Sequence, residues 1–407
     1  MVHKGLILFI YLAVITCVSA EVKGPLKHPD WHLLEPFQGS LTRNEFEHTL
    51  RSVYCPRVSW YQDWIKILDE KFLVRKKTGK NEWYSLSFRD SNQTTLVSRQ
   101  EFFLDANHSL NGIRIALDPG HIGGEYAEME GRNFSIDGKP SVKEGDLSLM
   151  VAKSLKKKLD SLGADVILVR KKNFPVTSLR PNDFTQDAEK WTRQREQNMK
   201  NKFSEKERTK VVQKKKEVLF YRLSEIHARA EMINKVIRPD FVICIHLNAA
   251  PWPDPENFSL VERNDYHVLV NGCYMGGELA DDNQRFDMLF RLFNGWHETE
   301  LRLADHVSLS FEKLTKLPPF SYKGPNALKI GTTKGVWGRN LLANRIYLCP
   351  VLFLEPYVAN SKDVFNRIQL GIYSGKKKIK GEWKLNLVEE YSESVFRGIK
   401  NSFDPNK

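Results

Sequence analysis

The sequence predicts an α/β fold: a mixed, mostly parallel central sheet flanked by helices, with a small N-terminal α+β module. Three observations predict it. Apolar runs at residues 113–117, 164–169, 241–245 and 350–354 read as buried strands. Between the first two, residues 146–162 carry Leu147, Met150, Val151, Leu155 and Leu159 at helical spacing, and Gly163 ends the helix. Three of the runs end in residues that bind metals or move protons: His121, His246 and Glu355. In an open α/β sheet, that rim is where ligands are held.

The 407 residues suggest two or three domains, or one large domain with additions. Residues 1–20 have the form of a signal peptide: Lys4, an apolar stretch too short to span a bilayer, then small residues before Glu21. Cys17, inside that segment, faintly resembles a lipidated cysteine, although Thr16 fits such a site poorly. The mature chain is expected to be exported, to the periplasm or cell envelope or outside the cell, with no transmembrane segment. Cys55, Cys244, Cys273 and Cys349 remain after removal of the signal, and their pairing is open.

Residues 21–110 form the N-terminal module, whose role is not legible. Thr42 is expected to cap a helix there, and strands are expected at 71–75 and 83–88. Trp60, Trp64 and Trp83 are expected in its core rather than on a sugar-stacking face. Residues 111–372 hold the main domain. Within it, residues 185–222 read as one long, very polar helix, suited to a solvated arm, a lid or a dock for a regulatory protein. Helices are also expected over 226–237 and 286–314, and a strand over 266–270. Residues 373–407 form a basic tail closing in a helix over 385–399.

A net charge of +12 favours an anionic partner. No zinc-finger, RNA-recognition or P-loop pattern is present, so nucleic acid is not expected. Glu144, just before the helix that follows the first strand, joins the two histidines and Glu355 as a fourth candidate. Two imidazoles and one carboxylate suit a catalytic zinc site, and a second carboxylate suits the accompanying proton transfer. Taken alone, Glu144 also fits a helix-start acid and Glu355 a plain strand-end acid. There is no HExxH helix.

Five segments, in order, resemble the zinc-dependent N-acetylmuramoyl-L-alanine amidases. They are Leu117-Asp118-Pro119-Gly120-His121 with Gly123-Gly124, then Lys143-Glu144-Gly145-Asp146-Leu147-Ser148-Leu149. Arg229 with Asn234 follows, then 241–249 through His246-Leu247-Asn248, and 351–355 with Asn360-Ser361. The resemblance covers about residues 112–372. It implies one zinc held by His121, Glu144 and His246, with Glu355 as the catalytic carboxylate. It also implies cleavage of the amide between N-acetylmuramic acid and L-alanine, with anionic peptidoglycan as partner. Asp118, Arg229 and Asn248 are supporting candidates, Asp118 as an orienter of a zinc histidine. The chain departs from the family pattern at Ile122, which lengthens the loop after His121, at Gly145, at Cys244 and in the 185–222 arm. Two other readings fit the same residues: an inactive peptidoglycan-binding or regulatory protein, and a zinc peptidase or deacetylase acting on another exported amide.

Overall fold

The computed structural model describes residues 29–90, 109–199, 202–254 and 258–404. The expected signal segment, Cys17 included, lies outside them. Among the described residues, no helix is long and apolar enough to cross a membrane.

The N-terminal residues form a three-stranded antiparallel sheet: β1 (Ile65–Ile67), β2 (Lys71–Arg75) and β3 (Trp83–Ser87). Thr42 caps the preceding helix α1 (Arg43–Thr49) in a capping box with Glu45, as its sequence predicts. Trp60, Trp64 and Trp83 are all half-buried; Trp60 and Trp64 pack against the main core, whereas Trp83 does not. Arg57 lies 4.7 Å from the Trp60 ring, Arg285 5.0 Å from Trp64 and Lys66 4.5 Å from Trp83. These cations cover the rings and so oppose a sugar-stacking face.

The central sheet has seven strands: β4 (Arg114–Pro119), β5 (Asp165–Leu168), β6 (Phe241–Ile245), β7 (Tyr266–Val270), β8 (Leu328–Lys329), β9 (Val336–Gly338) and β10 (Val351–Pro356). Their order is β8-β9-β7-β10-β6-β4-β5. The block β10-β6-β4-β5 is parallel, and β7 runs antiparallel to β10. The first strand runs two residues past its apolar stretch, so Pro119 lies in the ladder opposite Ile245.

Side-chain alternation explains why these strands read as unbroken apolar runs. Leu117, Ile243, Ile245, Leu352 and Leu354 enter one core. That core includes helices α2 (Glu144–Asp160), α7 (Trp296–Thr315) and α8 (Leu387–Ser402). Ala116, Val242, Cys244, Val351 and Phe353 enter a second core with Ile233, Ile237 and Tyr347. With both faces covered, neither set of alternating positions can be polar. The terminal helix α8 places Leu387, Tyr391, Val395 and Ile399 in the first core.

Two expected helices are each divided in two. The 286–314 stretch is α6 (Asp282–Phe293) and α7, separated at Gly295, whose φ of +65° breaks the helix. The 185–222 stretch is a hairpin of α3 (Thr185–Gln197) and α4 (Glu205–Val218), with α4 running on without a break into a wide π-helical turn at Leu219–Ser224. Ser204 opens α4 through a capping box with Glu207, and this local start competes with a continuous helix. Lys215 lies 4.5 Å from the Trp191 ring across the hairpin. Helix α5 (Glu225–Glu231) follows, continuing as a wider turn over Met232–Ile237. The four described cysteines are buried free thiols.

Candidate metal centre

Because β4, β6 and β10 are parallel, their C-terminal ends meet on one rim. Pro119 and Leu354 both pair with Ile245, so the residues after them converge. His246 follows β6 directly, His121 stands two residues past β4, and Glu355 is the penultimate residue of β10. Asp118, His246 and Glu355 all fall at the alternation of the second core, so they share one face of the sheet. Glu144 reaches the same rim as the first residue of α2.

One ligand atom from each of His121, Glu144 and His246 lies within 4.8 Å of the others. Glu144 bridges the two rings: its Oε2 is 3.2 Å from His121 Nε2 and its Oε1 is 3.1 Å from His246 Nδ1. Two ring nitrogens and a carboxylate are a donor set that fits zinc, a borderline ion that accepts both. Burial alone would raise the Glu144 carboxyl, but the adjacent imidazoles hold it well below the ordinary range. Burial works against a charged His121, yet Glu144 and Glu130 outweigh it and lift its pKa to about 9. His246 is lowered by burial.

Glu355 lies on the same cavity beside this cluster, not within it. Burial, then the charge of Glu144, pushes its carboxyl up to about 8. Arg132, His121 and Arg339 pull the other way. A carboxyl raised toward neutrality is suited to both accepting and returning a proton. The cavity has a volume of about 410 Å³.

The turn carrying His121 is held from two sides. His121 has a φ of +55°, a costly conformation for a residue with a Cβ. Arg229 on α5 donates from Nη2 to the His121 carbonyl (2.8 Å) and from Nη1 to the Pro119 carbonyl (2.7 Å). Glu130 accepts from the amides of Ile122 (3.0 Å) and Gly123 (3.2 Å), while its Oε1 lies 3.5 Å from His121 Nδ1. A carboxylate behind the outer ring nitrogen is how imidazole ligands are commonly oriented.

Asp118 does not take that role. Its carboxylate accepts from Arg229 Nη1 (2.8 Å) and from the Tyr347 hydroxyl (2.7 Å). Arg229 Nε also donates to Glu225 (2.8 Å), so it stands between two buried acids. Glu130, Glu225 and Tyr347 escaped the sequence reading. Nothing in their spacing marks them, and only tertiary contact brings them to the site. Asn248 lines the cavity, with its side-chain oxygen accepting from the amide of Ala249. Asn234 bonds instead to Ile346 and Leu348.

Two departures from the family pattern have a packing reason. A Cβ at Gly145 would lie 2.4 Å from the Gly123 nitrogen, so glycine lets the start of α2 meet the loop. Ile122 is fully buried among Phe184, Ala188, Leu219 and Phe220, and thus joins the loop to the helical hairpin. Gly120 is equally constrained: a Cβ there would lie 2.3 Å from His246 Cε1. Gly120→Ala is therefore expected to displace the His246 ring and cost about 1–3 kcal/mol. Denaturant unfolding would measure it, and wild-type stability would contradict the clash.

No family model and no curated protein matches the sequence. Solved structures that resemble it include several N-acetylmuramoyl-L-alanine amidases. The CwlD amidase of Clostridioides difficile, determined in complex with the GerS lipoprotein, is 12% identical with a TM-score of 0.40, covering 71% of this chain and 98% of its own. Ami1 of Mycobacterium smegmatis is 14% identical with a TM-score of 0.39, covering 72% and 98%. The catalytic domain of CwlV from Bacillus (Paenibacillus) polymyxa is 11% identical with a TM-score of 0.39, also covering 72% and 98%.

Proposed function

We propose that this chain is an exported zinc hydrolase that cleaves the amide between the lactyl group of N-acetylmuramic acid and L-alanine in peptidoglycan. The observation that carries the reading is the meeting of His121, Glu144 and His246 within 4.8 Å on the cavity that also holds Glu355. The five ordered segments that resemble the amidases support it. So does the net charge of +12, which suits an anionic wall polymer.

His121 Nε2, one Glu144 oxygen and a His246 ring nitrogen would hold the zinc. The chemistry that a bound zinc supplies is Lewis acidity toward an amide carbonyl and toward water. Glu355 accepts the proton from the attacking water at its carboxylate and returns it to the departing amine nitrogen. Glu130 and Arg229 keep the His121 turn in place. Residues 1–20 would direct export to the periplasm or cell envelope. The helical hairpin, whose following turn supplies Tyr221 and Arg222 to the cavity wall, is where a regulatory protein would act.

Mass analysis of purified sacculi treated with the mature protein tests the reading. Free stem peptides beginning at L-alanine are expected, and intact muropeptides alone would count against it. Chelation is expected to stop release and added zinc to restore it. The metal-free protein is also expected to melt at a lower temperature, because a ligand bound only by the folded state stabilises it. A protein that holds no stoichiometric zinc would favour the binding-protein reading.

A further inference from the structure

Most of the charge on the cavity wall is matched internally. Arg229 is held by Asp118 and Glu225. Glu130 and Glu144 face the two imidazoles. Arg339 and Arg222 also line this cavity, but neither guanidinium has an ion-pair partner among the described residues. Glu355 and Glu278 feel the charge of Arg339 without forming an ion pair with it, so this half-buried guanidinium is only partly compensated and suits planar recognition of an oxyanion.

Arg339 is also preorganised. It follows β9 directly, and its amide donates to the Val270 carbonyl at 3.0 Å. Its guanidinium lies 5.3 Å from the Tyr322 ring centroid. That ring is packed in turn against Phe320 at 4.8 Å and Trp337 at 5.3 Å. This contact, together with a side-chain hydrogen bond between Arg339 and the Tyr322 hydroxyl, restrains the guanidinium and leaves its other N–H donors for a ligand. Its charge reaches the Glu355 carboxyl, which it pulls downward, so it stands near the reacting end of the cavity. Arg222 is exposed, on the turn Leu219–Ser224.

We propose that Arg339 and Arg222 form an anion subsite that recognises a carboxylate of the substrate peptide. The proposal rests on the amidase reading and names the substrate class within it: muramoyl peptides with a free acid close to the scissile amide, in preference to their carboxamides.

Two compounds that differ in one group test it. N-acetylmuramoyl-L-alanyl-D-glutamate presents a free α-carboxylate, and its D-isoglutamine counterpart presents a neutral amide. With zinc-loaded protein, the acid is expected to have a kcat/KM about tenfold or more above the amide, the scale of one charge-assisted hydrogen bond. Arg339→Ala and Arg222→Ala are each expected to shrink that ratio, chiefly through the KM of the acid. Arg339→Lys is expected to fall between, keeping charge but losing the planar fork. Arg222 is exposed, so its variant reports even where Arg339→Ala misfolds. A ratio near one in the wild type, or one unchanged in both alanine variants, overturns the subsite. An equal fall in kcat for both compounds would place Arg339 on the carbonyl oxygen instead and also overturn it. Calorimetric binding of the two compounds to Glu355→Gln protein gives the same ratio without turnover. A retained binding ratio with no hydrolysis by the wild type would sink the amidase reading and leave the subsite standing.

Discussion

Glu355→Gln is expected to lower stem-peptide release by roughly 10²–10⁴-fold, the range for loss of a positioned acid–base group. Glutamine matches glutamate in shape, so β10 keeps its pairings with β6 and β7. It also removes a carboxylate that Glu144 repels, and the variant is expected to be at least as stable as the wild type. The His121–Glu144–His246 cluster does not include Glu355, so zinc content is expected to stay near one per chain. Activity and metal analysis on the same preparation separate the roles. Zinc lost together with activity would make Glu355 a ligand, and unchanged release would remove it from the chemistry.

Arg229→Ala is expected to have the largest effect on stability. The guanidinium lies between Asp118 and Glu225, and all three side chains are at most 4% exposed. Its removal leaves two buried carboxylates without their cation, at a cost of about 3–5 kcal/mol. At a few degrees per kcal/mol, the melting temperature is expected to fall by roughly 10 °C. The carbonyls of Pro119 and His121 lose their donors too, so the left-handed His121 turn loosens and zinc binding weakens with it. Arg229→Lys restores charge but cannot reach four oxygens at once, and it is expected to recover only part of the loss. Thermal melts with and without added zinc check both effects. A melting temperature within two or three degrees of the wild type would show that the trio contributes little.

The sheet was legible because it is covered on both sides. Phe241–Ile245 has no polar position to blur its reading, and its end at His246 marks the rim. The four principal candidates were legible for a related reason: parallel strands bring their C-terminal ends together whatever separates them in the chain. Asp118 misled because nearness along the chain is not nearness of atoms; its carboxylate turns to Arg229 and Tyr347 rather than to an imidazole. Glu130 was not legible, since a lone acid in an irregular loop gains its meaning only from the ring nitrogen and amides it meets. The hairpin read as one helix because its apolar residues are sparse, although Ser204 with Glu207 carried a capping signal that would have divided it.

Ile122 carries a consequence for how this protein can be taken apart. One residue added beside His121 acts as a peg, and the helical hairpin forms its socket. A version of the chain engineered without the hairpin would present that peg to water, two positions from Gly124 and next to a histidine held in a costly backbone shape. Minimal versions of the domain therefore have to be redesigned at residue 122 as well. Hydrogen exchange in the hairpin and at the amides of Ile122 and Gly123 should slow or quicken together, as parts of one opening unit.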